Sequence, residues 1–396
     1  MGKRIKKLLP SFIRNRLRQF RWSPGAVRWL PGDSTRFGPP RRWMRLRDYF
    51  SARPGSLRVA LAEQALPPPR PALDSTMPQR FLASFRDSVP AAFVFTLHDA
   101  RLLGAEGWVV APGDIFLIDA SFEGNVAAKA VRDHHIYRSR RGVALPLKQL
   151  KGRCLSLASD YAVGGFGHFV HDSITRLLLI EQAGFKLSDF DWIYVPHPRT
   201  AVPLGIISSL GVPRERILNY DPSSDFQCEE LTATSFPGAP GYIAPVYAEF
   251  LRRRFTPVPT RRNRRVYLSR SGSRRNFSNL AEVETVQRRH GFEEVVPHKD
   301  AETLQKCAEA EFVFCLEGAG FFNSISCAAG TRVLIVFPDR LPHVVPYALT
   351  FAEAARFRTL AMGGKSADAP GIEGGEADVY LDPDLLEAAL QRMEEA

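Results

Sequence analysis

Apolar and polar positions change rhythm twice along the chain. Between about 90 and 125, short apolar runs alternate with turn signals (FVFTL, WVVAPGD, IFLIDAS), which predicts a few antiparallel strands joined by tight turns. From 151 the pattern becomes strand and helix in alternation. CLSLA reads as a strand, GGFG as a turn, HFVHDSITRLLLIEQAG as a helix ending at Gly184, and DWIYVP as another strand. IISSLGV and the segment around LTATS continue the series. An arginine-dense stretch, LRRRFTPVPTRRNRR at 251–265, precedes a fresh start. RVYLSR is a strand, and NLAEVETVQRRHG a helix with Asn279 and Glu282 in the places of a capping box and Gly291 as terminator. EEVVPH, EFVFCL and TRVLIVFP follow as strands, with DAETLQKCAEA and AGFFNSISCAAG as the helices between them. DPDLLEAALQRMEEA is a last helix, opened by Asp382 and Pro383.

Strands alternating with helices of this length indicate parallel α/β layering. Two such series in 396 residues exceed what one core organises and predict two Rossmann-like domains. The expected division is an arm and connector over 1–80, a first α/β domain over 81–250, a second over 251–365, and a linker and terminal helix over 366–396. Residues 23–80, rich in Pro, Arg and Gly with PPPRP at 67–71, read as an extended connector with little regular structure.

Charge changes this picture at one end only. Residues 1–50 carry 14 Lys and Arg against two Asp, which leaves 39 basic and 40 acidic residues in the rest. The body is near neutral, which argues against nucleic acid as a partner, because such binders spread positive charge over the folded face that docks. The arm MGKRIKKLLPSFIRNRLRQFRW interleaves cations with Leu8, Leu9, Phe12, Ile13, Leu17, Phe20 and Trp22. Such a segment can lie on an anionic membrane surface, apolar side inserted, or remain a solvated basic tail; Pro10 interrupts it. No run of 18 apolar residues and no signal-peptide pattern appears, and the five cysteines show no CxxC pair or ligand spacing. The expected location is cytoplasmic, with the arm allowing peripheral attachment to the inner face of the membrane.

Ligands of open parallel sheets bind beyond the carboxyl ends of the strands. In the second series those positions hold Arg270, Arg274 and Arg275; then Glu317, Gly318, Ala319 and Gly320; then Asp339, Arg340 and His343. Guanidinium groups beside a glycine-flanked helix start suit a diphosphate, the glycines permitting close approach and the helix N–H groups attracting the anion; the same small residues also suit plain packing. In the first series, His168, Asp172, Thr175 and Arg176 fall on one helix face. A histidine at the helix start can accept a proton while a carboxylate one turn on holds its ring, although a buried hydrogen-bonding histidine fits the same pattern. A metal on His168, His171 and Asp172 lacks a third ligand segment. The Asp-x-Asp runs at 189–191 and 382–384 read as a strand lead-in and a helix cap.

These blocks resemble glycosyltransferase family 61. GHFVHDSITRLLLIEQ is similar to the family's aromatic-and-histidine segment followed by Asp and an Arg-Leu pair, and RRVYLSR through EGAGFFNSISCAAGTRVLIVFP to its strand ending in Ser-Arg, its Gly-Ala-Gly-x-x-Asn turn and its Gly-Thr-x-Val strand. Here Glu317 stands where many relatives have His, Gly167 and Phe169 where Tyr and Trp are usual, and no proline precedes Arg176. The resemblance implies a GT-B-like enzyme, two Rossmann-like domains facing a cleft. It would invert the anomeric centre, take a hexosyl, pentosyl or N-acetylhexosaminyl group from a nucleotide diphosphate sugar, and need neither a resident cofactor nor a metal. Residues 251–365 would hold the donor through Arg270, Arg274, Arg275, Gly318, Ala319, Gly320 and Asn323. Residues 81–250 would face the acceptor, a glycan or lipid-linked glycan of the cell envelope, with His168, Asp172 or Glu317 as base and Arg176 and His343 lining the cleft. A chain of the same fold that binds nucleotide sugar or a membrane surface without catalysis is the alternative.

Overall fold

The computed structural model describes residues 36–37, 42–51, 57–77, 85–122, 145–159, 162, 165–195, 201–218, 224–239, 242–367 and 377–395, with backbone alone at 36–37 and 201–202. The basic arm expected over residues 1–22 lies outside them. The first thirteen strands are β1 (Arg36–Phe37), β2 (Arg42–Met44), β3 (Leu57–Leu61), β4 (Gln64–Ala65), β5 (Ala72–Leu73), β6 (Ser88–Val89), β7 (Ala92–Leu103), β8 (Trp108–Ala111), β9 (Ile115–Leu117), β10 (Leu145–Ser156), β11 (Trp192–Tyr194), β12 (Ile217–Leu218) and β13 (Asp225–Thr234). Six more follow: β14 (Arg264–Leu268), β15 (Glu293–Val295), β16 (Ala310–Leu316), β17 (Arg332–Pro338), β18 (Arg358–Ser366) and β19 (Val379–Tyr380).

The expected antiparallel meander is present as β7-β8-β9, and it joins a larger sheet ordered β12-β11-β10-β13-β7-β8-β9-β2. Within it β12, β11, β10 and β13 run parallel. The chain passes from β10 outward through β11 to β12, then returns to place β13 on the other side of β10. The winding therefore reverses between β10 and β13. The second sheet runs β15-β14-β16-β17-β18, all parallel, with β19 antiparallel at the edge. Its winding reverses between β14 and β16. Strands β16 and β17 are almost wholly buried, as expected for apolar runs covered on both faces.

The connector differs from its expected form. Strand β2 pairs with β9, β3 with β7, and β5 with β18, so residues 42–73 contribute to both sheets. Segments as short as Arg42–Met44 and Ala72–Leu73 carry no readable period, yet β2 covers the edge of the first sheet and β5 pairs with β18 of the second. One buried apolar cluster also runs between the sheets, joining Phe169, Val170 and Leu177 to Phe321, Phe322 and Phe351.

Other local expectations change form for identifiable reasons. The helix over 168–184 is built of Phe166–His168, a π-turn Phe169–Ile174 and Arg176–Gln182. Thr175 Oγ1 donates to the His171 carbonyl and Arg176 Nε to that of Asp172 at 2.7 Å. These side chains occupy the carbonyls that an α-helix would offer to residues 175 and 176, which favours the wider turn. The helix expected from Ala319 is a 3₁₀ helix, Ala319–Ser326. Asn323 Nδ2, Ser324 Oγ and Ser326 Oγ each donate to the carbonyl three residues back, at 2.7, 2.7 and 3.2 Å, and tighten it. Asn279 forms no side-chain cap; its amide instead exchanges hydrogen bonds with the Leu381 backbone and donates to Glu282. Both Asp-x-Asp runs are structural: Asp191 Oδ2 accepts from the Arg153 N–H at 2.8 Å, and Asp382 caps the final helix by accepting from Asp384 N at 2.9 Å.

Candidate active site

Both winding reversals open a crevice at the carboxyl ends of parallel strands, where ligands of such sheets bind. Beyond β10, the chain turns into the Phe166–His168 helix and the π-turn. His168 Nδ1 lies 2.7 Å from Asp172 Oδ2, and the two side chains are 37% and 2% exposed. When the carboxylate is ionised, Nδ1 carries the proton and Nε2 is the accepting nitrogen. Burial pushes the Asp172 carboxyl above its ordinary range, while the His168 hydrogen bond and the neighbouring His168 and Arg176 charges pull it back. The buried histidine is the next one along. Burial, then the nearby His168, lowers His171 to about 3, and its ring meets Phe322 at 4.3 Å and Phe351 at 5.4 Å.

Arg176, expected to line the cleft, belongs to the interior. It is 1% exposed and donates to the Thr234 carbonyl and hydroxyl, both at 3.1 Å, and to the Ala120 carbonyl at 2.8 Å. Its role is to tie the π-turn to the end of β13 and to the short helix Ile118–Ser121 that follows β9. Thr175 is buried as well.

Beyond β14 and β16 the second constellation closes on itself. Arg270 donates to three carbonyls, those of Arg275 and Arg274 at 2.8 Å each and of Glu317 at 3.3 Å. Arg275 donates to the Glu317 carbonyl at 2.6 Å and to its carboxylate at 2.8 Å. Gly318 makes this possible: its φ is +154°, and a β-carbon there would sit 1.5 Å from Arg270 Nη1. The expected close approach thus occurs, and the approaching group is an arginine of the protein. Burial and then the Arg275 charge lower the Arg270 pKa, so its charge is held at an electrostatic cost that an anion would relieve. Glu317, expected as a possible base, is buried as the counter-ion of Arg275; burial raises its pKa and the two arginines oppose that rise.

Ala319 is exposed at the head of the 3₁₀ helix, where backbone N–H groups lack partners inside the helix. Asn323 is 1% exposed; its Nδ2 braces the Gly320 carbonyl at 2.7 Å and its Oδ1 meets no hydrogen-bond donor among the described residues. Arg274 is exposed beside Arg270. His343 is exposed on the turn Pro342–Val344, and among the described residues no hydrogen bond or ion pair joins it to the arginines.

The two constellations meet at Gly167. A β-carbon there would lie 2.6 Å from the Phe322 ring, so the turn carrying His168 rests directly on the 3₁₀ helix that begins at Ala319. Sequence reasoning missed the loop after β15: Pro297 lies 3.6 Å from a β-carbon built on Gly320, and His298 Nε2 and Lys299 Nζ each 3.6 Å from one built on Gly272. The signal was available, since that loop also follows a parallel strand. Among the described residues no group of three or more His, Cys, Asp or Glu could hold a metal ion.

Residues 166–334 match the model of the family described as Glycosyltransferase 61. This segment belongs to glycosyltransferase family 61. It begins at the helix bearing His168 and ends inside β17, enclosing both constellations and leaving His343 outside. Family 61 supports a glycosyltransferase, with a nucleotide-sugar donor and a glycan acceptor in general terms. No curated protein matches the chain.

Proposed function

We propose that the chain is an inverting glycosyltransferase that moves a sugar from a nucleotide diphosphate donor to a hydroxyl of a glycan or lipid-linked glycan. The observation that carries this reading is the contact of Arg270 with Gly318 across the winding reversal between β14 and β16. Arg275 pairs with the Glu317 carboxylate while Arg270 rests on backbone carbonyls, so Arg270 brings positive charge to the crevice for the diphosphate. Cleavage of the sugar–phosphate bond builds negative charge on the departing diphosphate, and donors already fixed by three carbonyls stabilise it without reorganising. Across the Gly167–Phe322 contact, His168 Nε2 takes the acceptor's proton and Asp172 holds the ring and balances the imidazolium. One displacement on the anomeric carbon inverts it.

Two Rossmann-like windings, each with its reversal beside a candidate constellation, support a GT-B-like reading. The reading assigns no role to a metal or resident cofactor. It places the enzyme in the cytoplasm, with residues 1–22 bringing it to an anionic membrane surface where a lipid-linked acceptor resides. The test is calorimetric titration with UDP, GDP and CDP, with and without chelator, followed by transfer assays with the sugar donor of whichever binds. Arg270→Ala is expected to weaken binding by roughly tenfold or more, and His168→Ala to preserve binding while lowering turnover by about 10²–10⁴. Absence of nucleoside diphosphate binding in the wild-type protein refutes the reading. Binding without any transfer points to the non-catalytic relative instead.

A further inference from the structure

The loop after β15 stands in the same crevice as Arg270 and Gly318, and none of its side chains has been given a task. Its backbone is fixed. Ser269 N donates to the Val295 carbonyl at 2.9 Å, and Lys299 N and Asp300 N both donate to the Val296 carbonyl, at 2.9 and 3.0 Å. Asp300 then anchors the next helix by accepting from Glu302 N at 2.8 Å and from Lys306 Nζ at 2.7 Å. The loop is thus presented as a rigid bridge. Pro297 abuts Gly320 on the β16 side, while His298 and Lys299 reach Gly272 on the β14 side.

Gly272 sits in a tight turn closed by the Ser273 N–H on the Arg270 carbonyl at 2.8 Å, with φ of +77°. The turn bearing Arg270 is therefore the one that His298 and Lys299 overhang. Neither side chain has a hydrogen bond or carboxylate partner among the described residues, although Lys306, a few residues on, is paired with Asp300. The acidic group nearest the arginines, Glu317, is already committed to Arg275. An ammonium and an imidazole without partners among the described residues, beside the buried Arg275 and the half-buried Arg270, form a cationic edge that an anion would satisfy.

We infer that the loop 296–300 is the third wall of the donor site, where Lys299 neutralises the diphosphate of a nucleoside diphosphate and His298 donates a ring N–H to it. This rests on the donor reading above. Lysine suits the position because a flexible ammonium follows the charge of the diphosphate as the sugar departs, whereas Arg270 and Arg275 are locked to carbonyls. Pro297 packs against Gly320 and so keeps the loop from swinging away from the 3₁₀ helix start.

The experiment compares UDP, GDP and CDP with their nucleosides by calorimetry in the full chain, for wild type, Lys299→Met, His298→Gln and Arg270→Ala. Methionine keeps most of the lysine stem and removes only the charge. The tightest diphosphate should bind Lys299→Met roughly three- to tenfold more weakly, with a smaller loss in His298→Gln. Affinity for the matching nucleoside should stay unchanged, which a merely structural role would not produce. Diphosphate affinity within about twofold of wild type in both loop variants, together with clear loss in Arg270→Ala, overturns the inference and leaves the donor reading standing. Failure of wild type to bind any diphosphate overturns both.

Discussion

At the scale of single residues, the proposed proton transfer rests on how His168 and Asp172 divide one hydrogen bond. The histidine is partly open and the aspartate closed, so in the proposed mechanism the ring would meet the acceptor while the carboxylate stays fixed behind it. A carboxylate at 2.7 Å balances the charge that the ring gains when it takes a proton. In Asp172→Asn that support is lost. The acid limb of a kcat/KM pH profile should move to lower pH, because the ring releases its proton more readily, and the plateau should fall by about 10²–10⁴. If Asp172 were itself the base, the variant would abolish turnover at every pH and leave no limb to move. His168 and Asp172 were legible from their spacing alone. Arg176 was misread because spacing assigns a face and says nothing of what covers it; here the end of β13 and the helix Ile118–Ser121 do.

Among elements, the decisive contact is between the turn carrying His168 and the 3₁₀ helix Ala319–Ser326. Its location was hidden from the sequence for a physical reason. Gly167 reads as an ordinary small residue, and only the Phe322 ring in the space of its absent side chain reveals a close approach. The π-turn and the 3₁₀ helix were equally hidden, since hydroxyl and amide side chains redirect carbonyls in ways that an apolar period does not record. What the period did record was the alternation of strands and helices and the positions following β14 and β16. Gly167→Ala should overpack this junction and cost about 1–3 kcal/mol in urea unfolding. Adding Phe322→Leu should recover part of that loss, giving a favourable coupling energy in the double-mutant cycle. Strict additivity of the two changes would show that the elements do not press on each other.

In the whole molecule, the two sheets are joined twice. Residues 57–73 lend β3 to the first and β5 to the second, and a buried cluster containing Phe169, Phe321, Phe322 and Phe351 continues from one to the other. A proline-rich composition gave no hint of the first link, and no local pattern can show the second. Their joint consequence is that stability given to one sheet should be felt by the other. The sequence supplies a reporter for this, because all five tryptophans lie at or before Trp192, and the described ones, Trp43, Trp108 and Trp192, stand in the first sheet. A nucleoside diphosphate held beyond β14 and β16 at about one hundred times its Kd stabilises the folded state by about 2.7 kcal/mol. Tryptophan fluorescence, whose described emitters lie in the first sheet, should then register the same upward shift in melting temperature as far-UV circular dichroism, which sees both sheets. A fluorescence transition that stays in place while the dichroism transition moves would mean that the sheets unfold independently, and that the cluster around Phe322 transmits no stability between the donor crevice and the turn bearing His168.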